Sequence, residues 1–274
     1  MQPGDVPSDG KTLQYSGVTE LGGNAVSDAQ LRRILQRYTW AAYLSSGKDV
    51  LEIACGSGLG LGLLAKAARN VFAADIDGEI LAHCRRHYST RVLLLQLDAQ
   101  SLPFADRSLD TVIMFEAIYY LRNIDLFLAE CHRVLRPGGS VLLSLPNSEL
   151  FDFNRSPHSF FYPNLSALRG LLQAHGFDSR IFGSDPCKAG LSLELATRIL
   201  KAIAVRYSLI PGSMTGKRLL RRMFHGALRP LPAEIQGTEI GFAELEPIGV
   251  GNPVKEYRVL YAHGCRMDGQ EDVG

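Results

Sequence analysis

Between Asp49 and Phe182, short apolar runs alternate with longer segments in which apolar positions recur every three or four residues. The runs 49–54, 70–75, 92–96, 109–115 and 140–145 predict five strands, and 58–68, 78–88 and 125–135 predict helices between them. The third helix is closed by Arg136-Pro137-Gly138-Gly139, a helix stop and turn. A helix over 165–175, ended by Gly176, and a strand over 177–182 continue the series. The period-two pattern of 256–262 suits a final edge strand. Strand and helix in alternation give a parallel sheet with crossover helices.

The flanks break this rhythm. Ser27-Asp28 opens an amphipathic helix that carries Leu31, Ile34, Leu35, Tyr38, Ala41 and Ala42 on one side and Arg32, Arg33 and Arg37 on the other, ending near Ser45-Ser46-Gly47. It is expected to pack on the main domain, with Tyr38 and Tyr43 as packing residues. Residues 1 to about 25 lack apolar periodicity and read as a mobile arm. Residues 186–250 read as an insertion: a helical segment (191–207), Pro211-Gly212, a basic segment with Lys217, Arg218, Arg221 and Arg222, and prolines at 230, 232 and 247. That basic segment reads as a solvated helix face. The expected organisation is an N-terminal arm and helix (1–47), a core (48–185 and 251–264), a helical cap (186–250) and a polar tail (265–274).

Composition narrows the function classes. The 274 residues, 46% of them apolar, suffice for a sizeable core. The 29 basic and 28 acidic residues nearly cancel, leaving no global field for nucleic acid or an anionic membrane. The N-terminus lacks a secretion signal and no apolar run approaches the ~18 residues of a membrane span, so a soluble, cytoplasmic protein is expected. Cys55, Cys84, Cys131, Cys187 and Cys265 are scattered without a C-x-x-C pair, which argues against disulfides and structural zinc. They read as reduced packing thiols, and no metal is expected.

The chemistry concentrates where the first strand runs into a glycine turn, Val50-Leu51-Glu52-Ile53-Ala54-Cys55-Gly56-Ser57-Gly58. In a doubly wound sheet, ligands lie beyond the carboxyl ends of the strands. A dinucleotide grip requires G-x-G-x-x-G, and here the last position is Leu61 or Leu63. No Lys-Ser or Lys-Thr follows the glycines, so a P-loop is absent as well. A ligand with an adenosine and an amino acid group, but no phosphate, suits the pieces. Glu52, a carboxylate in an apolar strand, needs a cationic or hydrogen-bonding partner and is expected to face an ammonium. Gly56 and Gly58 let the backbone pass close to the ligand. Asp75 is placed to accept ribose hydroxyls, Asp98 to accept from an adenine amino group, and the Ala99 amide to face a ring nitrogen.

These stretches, with Ala74-Asp75-Ile76-Asp77, residues 98–104, Ser108-Leu109-Asp110 and residues 130–139, make the sequence resemble a class I S-adenosylmethionine-dependent methyltransferase of the type 11-like kind, over about residues 48–182. The resemblance implies an α/β, doubly wound, Rossmann-like seven-stranded sheet with an antiparallel last strand, and a helical cap inserted before it. It implies S-adenosyl-L-methionine as cofactor, bound by Glu52, Ala54, Gly56, Gly58, Asp75, Ile76, Asp98, Ala99 and Phe115, with Tyr15 and Arg37 closing over it from the N-terminal segment.

Methyl transfer from a sulfonium needs alignment of nucleophile, methyl and sulfur, and a base only where the acceptor must lose a proton. Glu116, Tyr119 and His158 are the expected acceptor-pocket residues. Many relatives carry histidines where this chain has Tyr119-Tyr120. The run Glu116–Leu121 is similar to stretches in bacterial methyltransferases acting on saccharides. The expected reaction is therefore methylation of an oxygen or nitrogen on a small molecule, a saccharide or natural-product intermediate. A cofactor-binding regulatory or scaffold protein is the second reading, and an RNA or protein methyltransferase a third. The sequence does not set the oligomeric state.

Overall fold

The computed structural model describes residues 21–156, 158–187, 228–237, 245–249 and 256–267. The strands are β1 (Ala25–Ser27), β2 (Asp49–Ile53), β3 (Asn70–Asp75), β4 (Leu93–Gln96), β5 (Leu109–Phe115), β6 (Leu135–Pro146), β7 (Phe177–Pro186), β8 (Leu228–Pro230), β9 (Glu246–Pro247) and β10 (Tyr257–Arg266). The helices are α1 (Asp28–Leu44), α2 (Leu61–Ala67), α3 (Gly78–Tyr88), α4 (Ile124–Val134) and α5 (Leu165–Ala174).

The main sheet has the order β4-β3-β2-β5-β6-β10-β7-β9. β2 to β6 run parallel, and β10 is antiparallel to both β6 and β7. The seven expected strands are present with an antiparallel last one, and β9 adds a two-residue edge from the inserted region. Because a parallel sheet is covered on both faces, its strands are apolar on both. In β5, Val112 and Met114 pack with Phe127, Leu128, Leu168 and Leu172 of α4 and α5. Ile113 and Phe115 pack in the opposite layer with residues of α1, α2 and α3.

Local signals set the element ends. Ser27 and Gln30 form a reciprocal capping box at the start of α1, and Asp77 caps α3 by accepting from the Glu79 and Ile80 amides. α4 stops before Arg136-Pro137-Gly138-Gly139, but that stretch lies within β6, where the pairing register with β5 shifts. The Arg136 guanidinium there reaches Asp110 at 2.7 Å and Asp49 at 3.1 Å.

Three expectations change. The arm does not end in irregular chain, since β1 pairs antiparallel with β8 across about two hundred positions of sequence. β10 continues through Cys265 and Arg266, placed in the tail from sequence, because Cys265 still pairs with Ser140 and Asp178. Tyr43, expected to be a packing residue, is 81% exposed. The helical segment 191–207 and the basic segment 217–222 lie outside the described residues.

Residues 228–237 lie over α2 and α3. Leu231 and Ile235 are buried, and the Ile235 amide donates to Leu59 O at 2.9 Å. Glu234 accepts from Arg91 at 2.7 Å and contacts His87 at 2.7 Å, and Arg229 pairs with Asp28 of α1 at 2.7 Å. Among the described residues no helix is long and apolar enough to cross a membrane, and no group of metal-ligating side chains occurs.

Candidate active site

The carboxyl ends of β2, β3, β5 and β6, with the loop after β4, surround a cavity of about 560 Å³, within the roughly 300–1,000 Å³ of small-molecule sites. Gln30, Arg33, Arg37 and Tyr38 of α1 form one wall. Two residues bordering it hold left-handed backbone without being glycine: Ala54 (φ 57°) after β2 and Glu116 (φ 53°) after β5. Such conformations cost on the order of 1–3 kcal/mol and persist where the surroundings enforce them. Here the Cys55 amide donates to Ala74 O and the Glu116 amide to Ser144 O, both at 2.9 Å.

The turn after β2 divides its glycines between two jobs. Gly56 borders the cavity at φ 57°, and its amide donates to Asp75 Oδ2 at 3.0 Å. Gly58 faces away, because a Cβ there would sit 2.6 Å from Cys84 Sγ and 2.8 Å from the Tyr88 ring. Its carbonyl accepts from the Tyr88 hydroxyl at 2.6 Å. Gly58, expected beside the ligand, does not line the cavity; its φ of 81° and the close packing against α3 both favour glycine there. Gly60 follows the same logic: a Cβ would fall 2.0 Å from the Tyr38 ring.

Asp75 is buried, with Oδ1 accepting from the Asp77 amide at 3.0 Å. Burial raises its pKa against the pull of these backbone donors. Both oxygens keep acceptor capacity toward the cavity, since a carboxylate offers about four lone-pair sites. Asp98 is exposed on the cavity's rim and oriented by the Gln100 amide at 2.9 Å. Ile76, 54% exposed, and Ala99, buried, complete this end.

Glu52 does not border the cavity. It is 1% exposed, and Oε1 accepts from the Tyr38 hydroxyl at 2.6 Å. Oε2 has no hydrogen-bond partner among the described residues. Burial lifts this carboxyl to about 7, opposed by the Tyr38 hydrogen bond and the Arg37 charge. The partner expected from a ligand is supplied instead by α1, which places Tyr38 between Glu52 and the cavity.

At the opposite end, Glu116 sits where β5 and β6 separate. Arg37 Nη1 lies 3.5 Å from its Oε1, and the Tyr119 and Ser144 hydroxyls donate to it at 3.4 Å each. Burial, then the Glu116 charge, holds the Tyr119 phenol well above its ordinary value. The Tyr119 ring stacks on Tyr162 with centroids 4.2 Å apart. Phe115 forms an edge contact with Tyr38 at 5.6 Å.

The structure therefore brings Arg37, Ala54, Gly56, Asp75, Ile76, Asp98, Ala99, Phe115, Glu116 and Tyr119 to one cavity. His158 is exposed and does not line it, because the 147–162 loop presents Phe160 there instead. Tyr15 lies outside the described residues. Sequence reasoning missed Tyr38, which reads only as a core position of α1, and Arg122, Phe160, Arg258 and Tyr261, which reach the site through tertiary folding. Cys55 is buried as expected, its thiol held above the ordinary range by the Cys84 side chain and by burial.

Comparison with known proteins agrees with this geometry. A family described as "Methyltransferase domain" matches residues 51–143. A probable S-adenosylmethionine-dependent methyltransferase of Mycolicibacterium smegmatis is 37% identical over 170 residues, 61% of this chain and 66% of that protein. The chain thus spans just under two thirds of that relative. A fatty-acid O-methyltransferase of the same organism is 38% identical over 118 residues, 39% of this chain and 43% of that one. A crystal structure of a SAM-dependent methyltransferase from Archaeoglobus fulgidus superposes with a TM-score of 0.55 at 15% identity, covering 87% of this chain and 94% of that one; this likeness concerns the fold. With the strand order and the glycine turn after β2, these matches show a methyltransferase domain over residues 51–143, similarity to a probable S-adenosylmethionine-dependent methyltransferase, and a fold shared with a solved S-adenosylmethionine-dependent methyltransferase.

Proposed function

We propose that this protein transfers a methyl group from S-adenosylmethionine to an oxygen or nitrogen of a small-molecule acceptor. The observation that carries the reading is the convergence of the glycine turn, Asp75 and Asp98 at one end of a single cavity with the Glu116, Arg37 and Tyr119 cluster at the other. The cofactor supplies an electrophilic sulfonium methyl when bound. Asp75 offers acceptors for ribose hydroxyls and Asp98 for an adenine amino group, while the Gly56 backbone lets a ligand lie close. Tyr38 suits the amino acid end. Glu52 acts from behind by fixing the Tyr38 hydroxyl.

The displacement is in-line, so the chain contributes alignment and exclusion of water. Glu116 is the proton acceptor for an acceptor group that must lose one, and Tyr119 holds its carboxylate in place. The partial match to a fatty-acid O-methyltransferase favours oxygen over nitrogen. The saccharide reading rests on the short run Glu116–Leu121 alone.

Calorimetry with S-adenosylhomocysteine, paired with labelled-methyl turnover, tests the assignment. Asp75→Ala is expected to abolish measurable binding. Glu116→Gln is expected to keep binding within about twofold while lowering turnover of a proton-bearing acceptor on the order of 10²-fold or more. Unchanged binding in Asp75→Ala, or undiminished turnover in Glu116→Gln, refutes the roles assigned.

A further inference from the structure

We infer that the acceptor is an amphiphile: an oxygen nucleophile at the end of an unbranched apolar chain, with the chain leaving the cavity across Leu121 and Phe160. The inference rests on the methyltransferase reading above and concerns the acceptor end of that same cavity.

The first argument is space. The cavity of about 560 Å³ must hold both reactants. Once an adenosine and an amino acid occupy the end at Gly56, Asp75 and Asp98, only a compact head fits beside Glu116. Anything larger continues through the mouth, so the mouth's chemistry selects the rest of the molecule.

The second argument is how the mouth's polar atoms are spent. The Tyr119 hydroxyl donates to Glu116 at 3.4 Å and the Tyr120 hydroxyl to Ser156 Oγ at 3.1 Å. The Tyr162 hydroxyl accepts from the Ser156 amide at 3.3 Å. These phenols are turned to internal partners, so the part of the wall formed by Tyr119, Tyr120, Leu121 and Phe160 presents rings and apolar surface, while Arg33, Arg122 and Arg258 supply charge elsewhere in the lining. A sugar body needs donors and acceptors at the edge of such a wall, whereas an alkyl chain needs only apolar area.

The third argument is exposure. Phe160 lines the cavity yet is 42% exposed, and the adjacent Phe161 is 50% exposed. Arg122 lies over the Phe160 ring at 4.9 Å and holds it at the mouth. An apolar chain laid over Leu121 and Phe160 would remove that surface from water, at about 0.8 kcal/mol per methylene fully buried.

In the reaction the acceptor oxygen bonds to the methyl carbon as the carbon–sulfur bond breaks, and its electron pair stays on sulfur as a neutral thioether. An alcohol gives its proton to Glu116. A carboxylate has none to lose and becomes the ester.

The experiment measures labelled-methyl transfer to hexadecanoic, octanoic and butanoic acids, to hexadecanol, and to glucose and glucuronic acid as polar-bodied controls. Calorimetry of hexadecanoic acid binding to the protein saturated with S-adenosylhomocysteine runs alongside. Efficiency is expected to rise with chain length, with the sugars inert. Phe160→Ser is expected to lower kcat/KM and affinity for the long chain about tenfold, to spare S-adenosylhomocysteine affinity, and to be rescued by Phe160→Leu. Glu116→Gln separates the heads by lowering the alcohol reaction alone. Methylation of a sugar or of butanoic acid as efficient as that of hexadecanoic acid overturns the inference. So does S-adenosylhomocysteine binding without long-chain binding or transfer. Failure to bind S-adenosylhomocysteine at all overturns the methyltransferase reading beneath it.

Discussion

Replacing Glu52 with glutamine isolates the cost of one buried charge. Moving a glutamate carboxyl from its ordinary 4.5 to about 7 corresponds to about 3 kcal/mol, at ~1.4 kcal/mol per tenfold change in proton affinity. The direction follows from proton counts. The folded protein holds the Glu52 proton more tightly than the unfolded chain does. Stability from this group is therefore fully present below about pH 4.5 and is lost as pH rises through about 7. Glutamine keeps an oxygen for the Tyr38 hydroxyl but cannot ionise, so Glu52→Gln removes the loss. Urea unfolding without cofactor, at about pH 5 and about pH 8, measures the difference between the two proteins. The glutamine variant should gain by about 2.5 kcal/mol relative to wild type between those pH values, since part of the loss has already occurred at about pH 5. Asp75, also raised by burial, is common to both and cancels to first order. Tyr38→Phe provides an internal control: removing the donor that lowers the Glu52 pKa moves the transition to higher pH. A difference that does not change with pH would refute the assignment of a proton to Glu52 near neutrality.

Three further outcomes test the packing around the site. Gly60→Ala puts a Cβ 2.0 Å from the Tyr38 ring, so thermal unfolding should show a loss of about 1–3 kcal/mol together with weaker S-adenosylhomocysteine binding, because α1 must shift. Glu234 is held below the ordinary carboxylate range by Arg91, so its contribution is present above the unfolded pKa of about 4.5 and lost as pH falls through the lower folded value. Glu234→Gln should flatten that acid-side loss by about 1 kcal/mol, read from unfolding at about pH 3 to 6. Alkylation followed by mass spectrometry should label the half-buried Cys187 and Cys265 in the native protein, and the buried Cys55, Cys84 and Cys131 only after denaturant.

The doubly wound sheet was legible because its signals are local. The ranges 70–75, 78–88 and 109–115 coincide with β3, α3 and β5, where apolar period and caps such as Asp77 lie within a few residues of what they specify. That Asp75, Asp98 and Glu116 border one cavity was legible for a topological reason: successive parallel strands must deliver their carboxyl ends to one edge. Phe160 was masked by its sequence neighbour His158, since nothing in a loop sequence says which side chain turns inward.

What the amino-acid sequence determined by itself was the order of strands and helices, the edge of the sheet where the chemistry lies, and the residue types that reach it. Only the tertiary structure decided what meets Glu52, why Gly58 and Gly60 carry no side chain, and that β1 pairs with β8. Each of these is a contact between residues distant in sequence or a direction set by packing. Such contacts leave no periodicity behind, because the energy that fixes them belongs to the folded surface and not to the local chain.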